Sequence, residues 1–236
     1  MSQQTIEQTT DFFNVPELYL LAEAFDGKIL FGLPDKEIYQ LQGDEVFEGA
    51  YERLIEKNIL TDEGKLTKGG AIIIKTLQAY HQSNKYVRIN NMMFAFMPDE
   101  QDELILLVEV ERQKKYKLFV VSKAKAFDLL ASFFPVVLRE PEEKERTFLK
   151  TLLTHQERHH INEFEPEKIM NLEVFCSGKG ALESRNDKAY MQWLVFEQEQ
   201  RLIMINPVEK KYYHASQHGF LKVLFDHLEF PYQGAK

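Results

Sequence analysis

Two successions of three strand-like segments, each closed by an aromatic-rich amphipathic helix that ends in Phe-Pro, constrain the fold more than any other feature of the chain. The first runs from Tyr86 to Val121 and on into a helix over residues 123–134, before Pro135. The second runs from Leu172 through Tyr213 into a helix over residues 217–230, before Pro231. Three strands cannot bury both of their faces alone, so two such units are expected to combine into one sheet with helices around it. The expected class is α+β, a central antiparallel sheet of two pseudo-twofold related three-stranded units. The chain reads as a single domain, residues 1–236, with pseudo-repeat halves 1–140 and 141–236.

Composition supports a packed core and narrows the partners. With 236 residues, 44% of them hydrophobic, there is ample apolar surface to bury. Eighteen Phe, ten Tyr and one Trp supply most of the bulk, and aromatic side chains cover large areas with few rotatable bonds. The net charge of −8 repels polyphosphates and anionic membrane surfaces, so no nucleic acid and no membrane insertion are expected. The polar start Met1-Ser2-Gln3-Gln4-Thr5 does not read as a signal peptide, and no uninterrupted apolar stretch reaches membrane-spanning length. A single cysteine, Cys176, cannot close an intrachain disulfide, which fits a reducing cytoplasm.

The first third reads as helical. Asn14 is placed to cap a helix bearing Glu17, Leu18, Leu21 and Ala22, with Pro16 in the first turn, where its missing N–H costs nothing. Asp44 opens a longer helix with Phe47, Tyr51, Leu54 and Ile55 on one face, and Thr67 caps another through Ile73, Leu77 and Tyr80 despite Gly69-Gly70. From Tyr86 the period falls toward two: Leu104, Leu106, Val108 and Val110 line one face, Glu109 and Glu111 the other. A short turn at Gln113-Lys114-Lys115 leads to an antiparallel partner over residues 116–121, and Phe127, Leu130, Ala131 and Phe134 follow at helical spacing. The charged stretch 139–146 reads as the joint between the halves. Beyond it come a helix through Phe148, Leu149, Leu152 and Leu153, a strand over 172–177, and a turn-prone loop over 178–187. A hairpin around Gln198-Glu199-Gln200 and a strand over 211–214 precede the closing helix of Phe220, Val223, Leu224 and Leu228.

Residues with chemistry are few. His155 and His159 are four apart, but the order His155-Gln156-Glu157-Arg158-His159 lacks the metalloprotease pattern and no paired cysteines accompany it. Cys176 sits on the strand face of Leu172 and Val174 and reads as a small buried hydrophobe. Ser177-Gly178-Lys179-Gly180 lacks the spacing of a phosphate loop. Catalytic motifs are missing, so the chain is expected to be no enzyme, with no cofactor and no metal. Residues 54–77 also follow the order of a winged-helix module. The helix before that turn, however, carries Asp44, Glu45, Glu48, Glu52 and Glu56 against only Arg53 and Lys57, a charge that repels phosphates.

The N-terminal half resembles the EspG family, cytosolic chaperones of type VII secretion, and their distant Gram-positive relatives. The resemblance is carried by Leu18 to Ala22, by Leu33-Pro34, and by Leu54-Ile55-Glu56-Lys57-Asn58-Ile59-Leu60-Thr61-Asp62-Glu63-Gly64-Lys65-Leu66, followed by the strands and the Phe127 helix in that family's order. It implies a central sheet flanked by two helical bundles, and a surface that holds the helical tip of a secreted protein substrate until export. In that family a loop between strands of the first repeat contributes to recognition; the matching turn here, Arg112-Gln113-Lys114-Lys115, is short. The expected partner-binding residues are therefore Arg112, Gln113, Lys114 and Lys115 with Phe220, Phe225 and Phe230 of the closing helix, suited to a partner's amphipathic helix. Two alternatives stand beside it: an immunity protein blocking a toxin, which would likewise be acidic, and a winged-helix-like DNA-binding regulator, which the order of elements over residues 54–77 suggests and the charge opposes.

Overall fold

The computed structural model describes residues 12–97, 101–141, 145, 150–162, 166, 168–176 and 190–232. The class is α+β, with seven α-helices and a ten-stranded antiparallel sheet among the described residues. The strands are β1 (Phe13–Asn14), β2 (Lys85–Ile89), β3 (Met92–Phe96), β4 (Glu103–Glu111), β5 (Lys115–Ser122), β6 (Lys150–Leu152), β7 (Met170–Cys176), β8 (Tyr190–Gln198), β9 (Arg201–Asn206) and β10 (Lys211–Ala215). The helices are α1 (Val15–Ala22), α2 (Lys36–Gln40), α3 (Glu45–Glu56), α4 (Lys68–His81), α5 (Lys123–Phe133), α6 (His155–Asn162) and α7 (Gln217–Leu228). The first succession holds four strands before its helix rather than three, because Asn90 turns the chain at φ 52° and divides the first expected strand into β2 and β3; the second also holds four, β7 to β10. The chain divides into two compact units, residues 1–83 with 91–121 and residues 84–90 with 122–236.

In the first unit the strand order is β1-β5-β4-β3, and α1 packs on α3 and α4. Leu104, Ile105, Leu106 and Leu107 are all buried, so the middle of β4 is covered on both faces, and Val110 near its end is exposed. The Asn14 N–H donates to the Glu17 carboxylate at 3.0 Å, which opens α1 as expected. At α4 the Thr67 hydroxyl accepts from the Gly70 N–H at 3.0 Å. Gly70 is there for space: a Cβ would lie 2.3 Å from the Ile59 carbonyl oxygen. Three buried tyrosines reach one loop. The hydroxyls of Tyr19, Tyr80 and Tyr116 donate to the carbonyls of Pro34 (2.8 Å), Phe31 (2.9 Å) and Gly32 (3.4 Å). Their desolvation is offset by these bonds.

In the second unit the order is β2-β7-β8-β9-β10-β6. Ser122 and Ser216 cap α5 and α7 through the N–H groups of Lys125 and Gly219. The helix expected through Leu152 and Leu153 is replaced by strand β6, whose Leu152 pairs with Tyr213. Helix α6 starts only after Thr154, whose N–H donates to the Glu157 carboxylate at 2.8 Å while its hydroxyl oxygen accepts from the Glu157 N–H at 3.4 Å, a capping box. Residues 178–187, expected to be a loop, lie outside the described residues. In the charged stretch, Arg139 and Glu145 form a buried ion pair at 2.6 Å, and Glu145 also accepts from the Gln217 N–H at the start of α7.

Candidate functional site

The β4–β5 hairpin carries the expected basic residues. Gln113 takes the left-handed conformation, φ 57°, and its N–H donates to the Glu109 carboxylate at 2.7 Å. Lys114 and Lys115 both turn back to Glu111, at 3.1 and 2.8 Å. Hydrogen bonds from Lys115 and then Lys114 hold the Glu111 carboxyl below the usual carboxylate range. The tip is also tied to its own unit, since the Tyr39 hydroxyl donates to the Gln113 carbonyl and the Val15 N–H to that of Lys114. The two lysines therefore present a partly neutralised turn rather than a bare cationic loop. Arg112 adds a cation at the same turn.

In the second unit, Phe220 and Phe230 are buried and Phe225 is half-buried. Phe225 stands edge-on to Phe127 and to Phe230 at 5.6 and 5.4 Å between centroids, and Tyr232 lies 5.6 Å from it. Phe220 thus serves the interior, whereas Phe225 and the exposed Tyr232 form an aromatic surface joining α5, α7 and the chain beyond. Lys222 and Tyr232 both bond the Asp226 carboxylate, Lys222 at 2.8 Å, and they lower its pKa.

The histidines line a shallow depression on α6 formed by His155, Gln156, His159 and His160. Among the described residues no three His, Cys, Asp or Glu side chains are gathered as a metal site. Cys176 is exposed, not buried as its strand face implied. It is the last residue of β7, opposite Lys85 of β2, while β8 pairs β7 only as far as Phe175.

A surface the periodicity misassigned lies on α3. Ala50 and Leu54 are the buried residues of that helix, and Tyr51 points outward, 41% exposed. Asp44, Phe47, Glu48, Tyr51 and Glu52 line an open depression. The cations beside this face turn the other way: Arg53 Nε of α3 and Lys57 Nζ just past its end lie 2.7 and 2.5 Å from the fully buried carboxylate of Glu17 on α1. The spacing of Asp44, Glu48 and Glu52, alternating with Phe47 and Tyr51, is the sequence signal that marks this face.

No helix among the described residues is long and apolar enough to cross a membrane. Residues 7–236 match the model of a protein family described as "Domain of unknown function (DUF5081)". The chain is also similar to the "Type VII secretion system protein EsaE" of Staphylococcus aureus, strains USA300 and NCTC 8325 / PS 47, at 28% identity over 138 residues. That alignment covers 58% of this chain and 58% of the length of each relative.

Proposed function

The chain belongs to the DUF5081 family, and from that premise and its similarity to a type VII secretion system protein we propose that it serves type VII secretion as a non-enzymatic, EspG-like chaperone or adaptor. It acts in the cytoplasm, binding a helical segment of a secreted protein substrate and keeping it soluble for export. The similarity to EsaE is the observation that carries the reading. The exposed aromatic and charged surfaces of both units are compatible with it, because amphipathic helices dock through a few apolar anchors set in a polar rim.

The test is affinity capture of the tagged protein from a bacterium that runs a type VII system, with the bound proteins identified and the complex sized. The expected result is stoichiometric recovery of a secreted helical protein. Recovery of a toxin's catalytic domain whose activity is blocked would replace the reading with immunity, and binding of duplex DNA with a steep salt dependence would replace it with regulation. Reversal of Lys114 and Lys115 to Glu measures the hairpin's share; client binding that is unchanged in strength and salt dependence removes the hairpin from the surface.

A further inference from the structure

We infer that the outward face of α3 is a docking site for a basic amphipathic helix of a partner protein, an inference that rests on the client-binding reading and specifies the surface and the chemistry of the client. Arg53 of α3 and Lys57 just past its end are both paired with Glu17 and form no ion pair with the outward carboxylates of the helix among the described residues. Asp44, Glu45, Glu48, Glu52 and Glu56 are all exposed and make no ion pair among the described residues. Asp44, Glu48 and Glu52 recur every four residues, a row about 12 Å long at the rise of a helix. One sign of charge therefore faces water along more than two turns.

The floor between these carboxylates is aromatic. Phe47 and Tyr51 line the same depression, and Tyr51 reaches the turn at Gly64, where a Cβ would come within 2.1 Å of its hydroxyl oxygen. Lys36 lies 5.9 Å from the Phe47 ring centre, but its ammonium is paired with Glu23 at 2.8 Å. A part-exposed tyrosine beside a half-buried phenylalanine, rimmed by unpaired carboxylates, complements one kind of helix. That helix carries Leu or Met at i, i+3 or i+4, with Lys or Arg flanking them. Nucleic acid and acidic helices are repelled by the row, and the same face of a second copy would bring like charge to like.

The probe is a synthetic helical peptide with Leu at i, i+3 and i+7 and Lys beside them, measured against a counterpart with every Lys replaced by Glu. The intact protein is expected to bind the Lys peptide, more weakly as salt rises, and to ignore the Glu peptide. Reversal of two rim charges, Glu48→Lys with Glu52→Lys, should weaken binding by roughly tenfold, as should Tyr51→Ala. The control Glu209→Lys, exposed in the second unit, should leave it unchanged. Circular dichroism of each variant verifies the fold. Equal binding of both peptides, or of neither, overturns the inference. In the capture experiment, loss of the client in the α3 double variant supports it. A client retained by that variant overturns the α3 site while leaving the chaperone reading intact, and capture of no client by the unaltered protein counts against the chaperone reading itself. Self-association that the double variant abolishes would assign the face to a second copy and overturn the inference as well.

Discussion

The buried carboxylate of Glu17 should dominate the stability of the first unit in an asymmetric way. Its side chain is 0% exposed, whereas those of Arg53 and Lys57 are 38% and 19% exposed. Removing the carboxylate strands two cations that can still reach water; removing the cations strands an anion that cannot. Glu17 keeps three donors, Arg53 at 2.7 Å, Lys57 at 2.5 Å and the Asn14 N–H at 3.0 Å. Arg53→Ala should cost about 1 kcal/mol, since its exposure leaves the pair screened. Lys57→Ala should cost about 2 kcal/mol, the range of a hydrogen bond to a charged group. Both together should cost about 4–5 kcal/mol, more than their sum, because the buried anion then has only an amide left. Glu17→Gln should cost about 2 kcal/mol, below the double variant. Urea unfolding followed by far-ultraviolet circular dichroism measures this, because the sole tryptophan, Trp193, reports on the other unit. A double variant that loses no more than Glu17→Gln, or single effects that simply add, would refute the reasoning.

Adjacent glycines of α4 should respond in opposite directions. Gly70→Ala drives a Cβ toward the Ile59 carbonyl and should destabilise by about 1–3 kcal/mol. Gly69→Ala, which meets nothing nearer than 3.9 Å, should stabilise by about 0.5 kcal/mol, both read from urea midpoints. The β8–β9 hairpin turns on Glu199 and Gln200 at φ 51° and 66°, so replacing them with Asn-Gly should raise stability by about 1–2 kcal/mol, measured by thermal unfolding. Alkaline pH should weaken the second unit. Tyr86 and Tyr190 are pushed up to about 12, the first by burial and the second by burial followed by its hydrogen bond to Glu173. With unfolded tyrosine near 10, the folded state holds the protons longer, so their contribution is full below about pH 10 and is lost as pH rises to about 12. Stability measured stepwise over that window should fall less steeply in Tyr190→Phe; an unchanged slope would contradict the assignment.

Elements governed by local chemistry were legible in the sequence, and those governed by distant partners were not. Asn14 and Thr67 announce α1 and α4 because a cap needs only its own neighbours. Leu152 and Leu153 keep helical spacing with Phe148 and Leu149, yet Leu152 joins β6, since pairing with Tyr213 sixty residues on outweighs local periodicity. Tyr51 keeps step with Phe47 and Leu54, but α1 meets α3 around the small Ala50, leaving the tyrosine outside. Of the expected binding residues, the lysines of the hairpin are plain in the sequence. That Glu111 claims both is visible only once β4 and β5 are paired and the turn closes. The inward turn of Arg53 and Lys57, which gives the α3 face its single sign, depends on Glu17 some forty residues earlier.

The three tyrosine hydroxyls that converge on the loop at Phe31, Gly32 and Pro34 bear on what binding would cost. Tyr19, Tyr80 and Tyr116 come from α1, α4 and β5, so the segment leading into α2 is fastened to three separate elements before any partner arrives. Ordering it is completed during folding. A ligand meeting the first unit encounters preorganised surface and forfeits little configurational freedom there, so its affinity is set by contact chemistry rather than by loop closure.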